Sequence, residues 1–63
     1  MRRLLDLAAA AEYLSLSTWT VRELVNAGVL PRVRVPIPNG EVRRLLFDVV
    51  DLDALIGQWK DAT

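Results

Sequence analysis

The sequence predicts an α+β fold, mainly helical: helix, turn, helix, two-stranded β-hairpin, helix. Three observations carry this. Between Leu14 and Pro31 lies a short segment at helical spacing with both ends marked. After Pro31 the apolar period changes from helical to two, and after Asp48 helical spacing returns.

Asp6 is the expected N-cap of the first helix, because its carboxylate can accept from the free N–H groups of the following turn. Leu7, Ala10, Ala11 and Leu14 share one face of that helix, and Met1 to Leu5 form a short basic lead-in. The run Ala8 to Ala11 has strong helix propensity and lets a neighbouring helix approach closely. Ser15 and Leu16 make the turn, with Leu16 dropping into the core.

In the second helix Ser17 is the N-cap and Gly28 occupies the C′ position, where positive φ is needed; Pro31 prevents resumption. Val21, Leu24 and Val25 define a buried stripe, while Trp19, Arg22, Glu23 and Asn26 point roughly the opposite way. Residues 7–27 are therefore a helix-turn-helix candidate whose second helix is offered outward.

Arg32-Val33-Arg34-Val35 alternates as a half-exposed strand does, and Val42 to Phe47 is its partner. An Asn39-Gly40 turn would pair Val33 with Leu46 and mix the faces. A Pro38-Asn39-Gly40 loop, closed by Gly40 as a bulge, pairs Val33 with Leu45 and Arg34 with Arg44, separating apolar from basic. The second register is the expectation; it places Val33, Leu45 and Phe47 underneath and Arg34, Arg44 and Leu46 outside. Two arginines face to face are unfavourable unless a phosphate lies between them; arginines that keep an edge strand soluble are the plainer alternative. Asp48 then caps the last helix, with Asp51 three residues on in a capping-box-like pair. Leu52, Leu55, Ile56 and Trp59 form its packing stripe, leaving the aspartates solvated.

Sixty-three residues suit one domain spanning 1–63, near the lower size at which a single core holds unaided. With 52% hydrophobic residues, disorder is not expected. Cysteine and histidine are absent, which removes disulfides, thiolate metal sites and the usual general base. Without a Gly-rich phosphate loop either, the expectation is no enzyme, no catalytic residues, no metal and no cofactor. No apolar run approaches a membrane span, so a cytoplasmic domain without a membrane partner is expected. Net charge is zero but unevenly placed: residues 1–47 carry seven arginines against four carboxylates, a net +3, and residues 48–63 carry one lysine against four aspartates, a net −3. Such a chain can present a basic side to a polyanion while staying neutral overall.

The order of elements is that of a small winged helix-turn-helix. The chain resembles the excisionase-like, MerR-like DNA-binding domains, through Ala10-Ala11-Glu12-Tyr13-Leu14, Ser17, Thr20-Val21, Leu24-Val25, Gly28, Leu30-Pro31, Val33-Arg34-Val35, Arg43-Arg44 and Asp51-Leu52-Asp53-Ala54-Leu55. Nearly the whole chain takes part, with the gaps in the wing turn. It departs from the family pattern at Thr18, where a basic residue is frequent, at Glu23, where arginine is frequent, and in carrying Trp19 on the outer face. Glu23 cannot contact phosphate but could accept from a cytosine amino group. Trp19 either leans on the wing or a neighbour, or makes apolar contact with a thymine methyl or sugar.

The resemblance implies double-stranded DNA as the partner. The recognition helix would bring Ser17, Thr18, Trp19, Thr20, Arg22, Glu23 and Asn26 to the major groove. Arg34, Arg43 and Arg44 on the wing, and more weakly Arg2 and Arg3 on an N-terminal arm, would meet phosphates. A lone domain of this size covers few base pairs, so several adjacent copies or a larger DNA-bound partner are expected. The resembled excisionases of phages and other mobile elements work in that way, bending attachment-site DNA for an integrase in a bacterial cell, nucleoid-associated when bound. A small MerR-like transcriptional regulator is the second reading and a protein-interaction winged helix the third.

Overall fold

Phe47, Leu30, Leu52 and Val21 are the largest fully enclosed side chains, and each comes from a different part of the chain. The computed structural model describes residues 2–60; Met1 of the lead-in and Asp61 of the acidic segment lie outside them. The elements are β1 (Leu4–Asp6), α1 (Leu7–Leu14), α2 (Thr18–Asn26), β2 (Pro36–Ile37), β3 (Gly40–Glu41), β4 (Leu46–Asp48) and α3 (Val49–Lys60). This is the small winged helix-turn-helix, three helices with antiparallel strand pairs. Leu5, Ala10, Ala11 and Leu55 complete the core. The two buried alanines of α1 let both α2 and α3 pack against that helix. Full burial of each large apolar side chain contributes about 1.5–3 kcal/mol. Among the described residues no helix is long and apolar enough to cross a membrane.

Both helices of the helix-turn-helix end in the same local motif. At the end of α2, Gly28 has φ 76°, its N–H donates to the Val25 carbonyl at 3.1 Å, and the Val29 N–H donates to Leu24 at 3.0 Å. At the end of α1, Ser15 takes the left-handed place at φ 58°, donating to Glu12 at 3.1 Å while Leu16 donates to Ala11 at 2.9 Å. These paired bonds satisfy carbonyls that a helix end would leave unpartnered. Leu16 packs against the core as expected. At the other ends the expected caps form: the Asp6 carboxylate accepts from the Ala9 N–H at 2.9 Å, and Ser17 Oγ from the Thr20 N–H at 3.1 Å.

The hairpin departs from the expected register. Its tip is a two-residue Pro38-Asn39 loop, with Ile37 opposite Gly40 and Pro36 opposite Glu41. Gly40 has φ 142°, a conformation glycine alone adopts without strain. Further down, Val33 pairs with Leu46, so Arg34 and Val35 face four residues, Val42 to Leu45. The surplus is absorbed as an irregular stretch at Arg43–Leu45. The cause is a second constraint that local turn chemistry does not contain. β4 pairs antiparallel with β1, Leu5 opposite Phe47, and burying both fixes β4 independently of the tip. Arg34 and Arg44 are therefore not cross-strand partners, which also avoids the repulsion of two facing cations. Leu46 is half-buried between Val33 and Asp6 rather than outside.

Three further expectations do not hold as stated. The lead-in is not an arm: residues 4–6 are a strand held by Leu5 in the core. Asp48 caps α3, accepting from the Val50 N–H at 3.0 Å, but Asp51 makes no reciprocal side-chain bond among the described residues. Of the α3 stripe, Leu52 and Leu55 are buried, whereas Trp59 lies past the end of the core and is 42% exposed. The Tyr13 hydroxyl ties α1 to α3 by donating to Asp53, which pushes the phenol's pKa up.

Candidate nucleic-acid interface

The outer face of α2 is built by exclusion. Val21 is fully enclosed and Leu24 and Val25 pack on the core, so residues a half-turn away must face out. Trp19, Arg22, Glu23 and Asn26 are all exposed, and Trp19, at 68%, is the most exposed large apolar side chain of the described residues. At that exposure the wing does not cover it, so the reading in which Trp19 leans on the wing does not hold. Thr18 is exposed at the amino end of the helix. Ser17 and Thr20 are committed to the cap instead: their hydroxyls lie 2.9 Å apart and Ser17 Oγ also receives the Thr20 N–H. Any contact they make is from the remaining capacity of those hydroxyls or from backbone N–H groups, which favour an anion at a helix N-terminus.

Beside this end of α2 lies an open groove of about 620 Å³, lined by Asp6, Leu7, Ala8, Thr18, Arg22, Arg43, Arg44 and Leu45. The structure thus brings Thr18 and Arg22 of the second helix together with Arg43 and Arg44 of the wing. The irregular stretch that spoiled the expected register carries these two arginines to the groove. Leu45, beside them, is half-buried and packs on the core, which anchors the stretch.

The arginines differ in their company. Arg44 Nη2 lies 3.2 Å from Asp6 Oδ2, and Arg34 Nη1 lies 3.7 Å from Glu41 Oε1. Arg3 forms a two-pronged pair with Asp48, at 3.1 and 3.2 Å. Among the described residues Arg22 and Arg43 make no ion pair. Arg34 stands toward the hairpin tip with Glu41 and does not line the groove. Arg3 is held at the sheet by Asp48, and Arg2 lines a separate cleft with Leu5, Ala9, Glu12 and Tyr13. Both arginines immediately precede β1, which holds the chain here against the sheet.

Asp6 was legible only as a cap; its second role was not. The Ala9 N–H first, and the Arg44 guanidinium after it, hold its carboxyl below the usual carboxylate range. The Asp48 carboxyl is likewise lowered, by Arg3 first and then by the Val50 N–H. Local sequence offers no sign of either arginine partner, since 38 and 45 residues separate them.

An outward helix held by its apolar face, joined by a tight turn to a supporting helix and flanked by a basic hairpin, defines a helix-turn-helix DNA-binding protein. Residues 4–60 match the helix-turn-helix domain family, and the chain belongs to it; the family is DNA-binding and includes excisionase-like proteins. No curated protein and no solved structure shows significant similarity to the chain.

Proposed function

We propose that the chain is an excisionase, a recombination directionality factor that binds attachment-site duplex in several adjacent copies, bends it and assists an integrase. The observation that carries the DNA-binding half of this reading is the shared groove, where Thr18 and Arg22 meet Arg43 and Arg44. In such a complex the nine residues of α2, about 13 Å long, enter the major groove and cover roughly four base pairs. Arg22 and Asn26, exposed on the outer face of α2, are the residues proposed to reach base edges, with Glu23 as an acceptor for a cytosine amino group. Arg43 and Arg44 reach the flanking backbone and supply the salt-dependent share of binding. The small footprint of one copy supports the multi-copy part, because a few base pairs give little affinity or selectivity alone.

A footprint on DNA flanking the coding region, followed by an excision assay with a candidate integrase, tests the whole reading. Protection over two or more adjacent sites and stimulation of excision are expected. Protection at a promoter without effect on recombination would favour the transcriptional regulator. Absence of salt-sensitive binding to any duplex would replace both with a protein-interaction role.

A further inference from the structure

The protein has seven arginines yet zero net charge, and among the described residues three of its carboxylates stand within ion-pair distance of an arginine. Two of the three wing arginines carry an internal counter-anion: Arg44 has Asp6 at 3.2 Å and Arg34 has Glu41 at 3.7 Å. All four side chains are on the surface, with exposures of 68% and 39% for the first pair and 65% and 45% for the second. Neither pair closes off the core, and ion pairs this exposed add little to stability. Asp6 is also one of the residues lining the groove, so its charge sits where a phosphate would approach. Its Oδ1 is already used by the Ala9 N–H; Oδ2 is the atom facing Arg44. An asparagine also fills an N-cap, so Asp6→Asn removes the charge while keeping a cap bond, at some cost in stability.

We infer that Asp6 and Glu41 are specificity-determining residues that act as built-in competitors for DNA phosphate, lowering affinity for arbitrary duplex while leaving base contacts from α2 untouched. The inference rests on the DNA-binding reading, of the groove for Asp6 and of the hairpin tip for Glu41. A phosphate that takes Arg44 must either displace a carboxylate or share the guanidinium with it, and either way an anion remains beside the bound backbone. Each competitor cancels part of the electrostatic, sequence-independent attraction on which non-specific binding depends. At the true site the base contacts of α2 hold the wing in one register, so a phosphate can seat on the guanidinium away from the carboxylate. On arbitrary duplex no register is held, so the cost falls mainly on non-specific binding and the ratio of specific to non-specific affinity rises. Arg43, with no acidic partner among the described residues, is left as the wing's uncompensated phosphate anchor.

The test uses the full chain, its footprinted site and a random duplex of equal length, each over a range of salt concentrations. The wild type must first show salt-sensitive binding; if it binds no duplex, the underlying reading has failed and not this inference. Given binding, Asp6→Asn and Glu41→Gln should each raise affinity for the random duplex about 3- to 8-fold near 0.1 M salt and steepen the logarithmic salt slope by up to about 0.9. Affinity for the true site should rise less, so the specificity ratio falls. Glu41→Gln changes no cap or core contact, which keeps the test valid should Asp6→Asn fold poorly. Arg44→Ala should cost more random-duplex affinity in the Asp6→Asn background than in the wild type. Unchanged random-duplex affinity in both carboxylate variants would overturn the inference. So would an Arg44→Ala loss that is smaller once Asp6 is neutralised, since Asp6 would then be positioning Arg44 for phosphate rather than competing with it.

Discussion

The helix-turn-helix and the wing are built by opposite means. From Leu7 to Leu30, turns and caps close within six residues: Asp6 on Ala9, Ser15 on Glu12, Ser17 on Thr20, Leu30 on Leu24. From Pro31 to Asp48 the shape is set from a distance, by Val33 on Leu46, by Leu5 opposite Phe47, and by Arg44 on Asp6. The recognition half should therefore tolerate loss of any one local bond at modest cost, whereas the wing should fail together with the strand that fixes it.

The sharpest way to break this contrast is Phe47→Ala. The side chain is fully enclosed on β4, and replacing such a residue costs about 3–5 kcal/mol through lost transfer energy and the cavity left behind. A chain of this length has a total stability of roughly 3–9 kcal/mol. Circular dichroism should show the variant largely unfolded at 37 °C or with its melting temperature lowered by well over ten degrees. If it melts near the wild type, the wing is not organised from β4.

Next in size is the division between Arg22 and Arg43. Arg22→Ala should relax discrimination at one base position by about 1–3 kcal/mol. Arg43→Ala should weaken every duplex alike and reduce the salt slope by about one. Competition binding against a set of single-base variants separates the two; equal loss of specificity from both would show that helix and wing do not divide the work as their settings suggest.

The same contrast explains what the sequence made legible. Ser17, Gly28, Asp6 and Asp48 announce their caps because the groups they bond lie within a turn, and Val21, Leu24 and Val25 announce a face by period alone. The groove was half-legible: Arg22, Arg43 and Arg44 could be assigned to helix and wing, but not seen to share one space. Arg34 could not be separated from Arg44, because their partners, Glu41 and Asp6, depend on a register set by β1. The strand within the lead-in escapes local reading for the same cause. Leu4 and Leu5 look like any short apolar pair until Phe47 is placed opposite. Trp19 was open from sequence; its exposure follows only once the hairpin is known not to cover it.

Within the local half, the two left-handed helix ends give a smaller, two-sided test. Gly28 at φ 76° uses glycine's freedom, while Ser15 at φ 58° holds the same kind of position with a Cβ attached. Replacing Gly28 by alanine should destabilise by about 1 kcal/mol, and replacing Ser15 by glycine should stabilise by up to about 1 kcal/mol. Nothing lies within 4 Å of a Cβ built at Gly28, so the cost there is conformational rather than steric. Urea denaturation of both variants measures it, and a loss of stability in Ser15→Gly would mean that the serine side chain contributes more than its backbone strain takes away.

The smallest effect expected is in acid, and it separates local from distant support once more. Asp6 is lowered first by a backbone N–H three residues away, Asp48 first by Arg3 from the far end of the chain. A carboxyl that binds protons more weakly folded than unfolded stabilises the fold above the unfolded value, and that contribution is lost as pH falls through the depressed folded one. Stability should therefore decline from about pH 4 downward. Asp48→Asn should be less stable at neutral pH and flatter below pH 4, and so should Asp6→Asn. Salt distinguishes them. Molar NaCl screens an exposed guanidinium–carboxylate pair but not a short backbone hydrogen bond. The acid limb owed to Asp48 should thus shrink in salt, while the one owed to Asp6 persists. Melting curves from pH 2 to 7 at two salt concentrations read this directly; equal salt sensitivity in the two variants would mean that Arg44, not the cap, is the main support of Asp6.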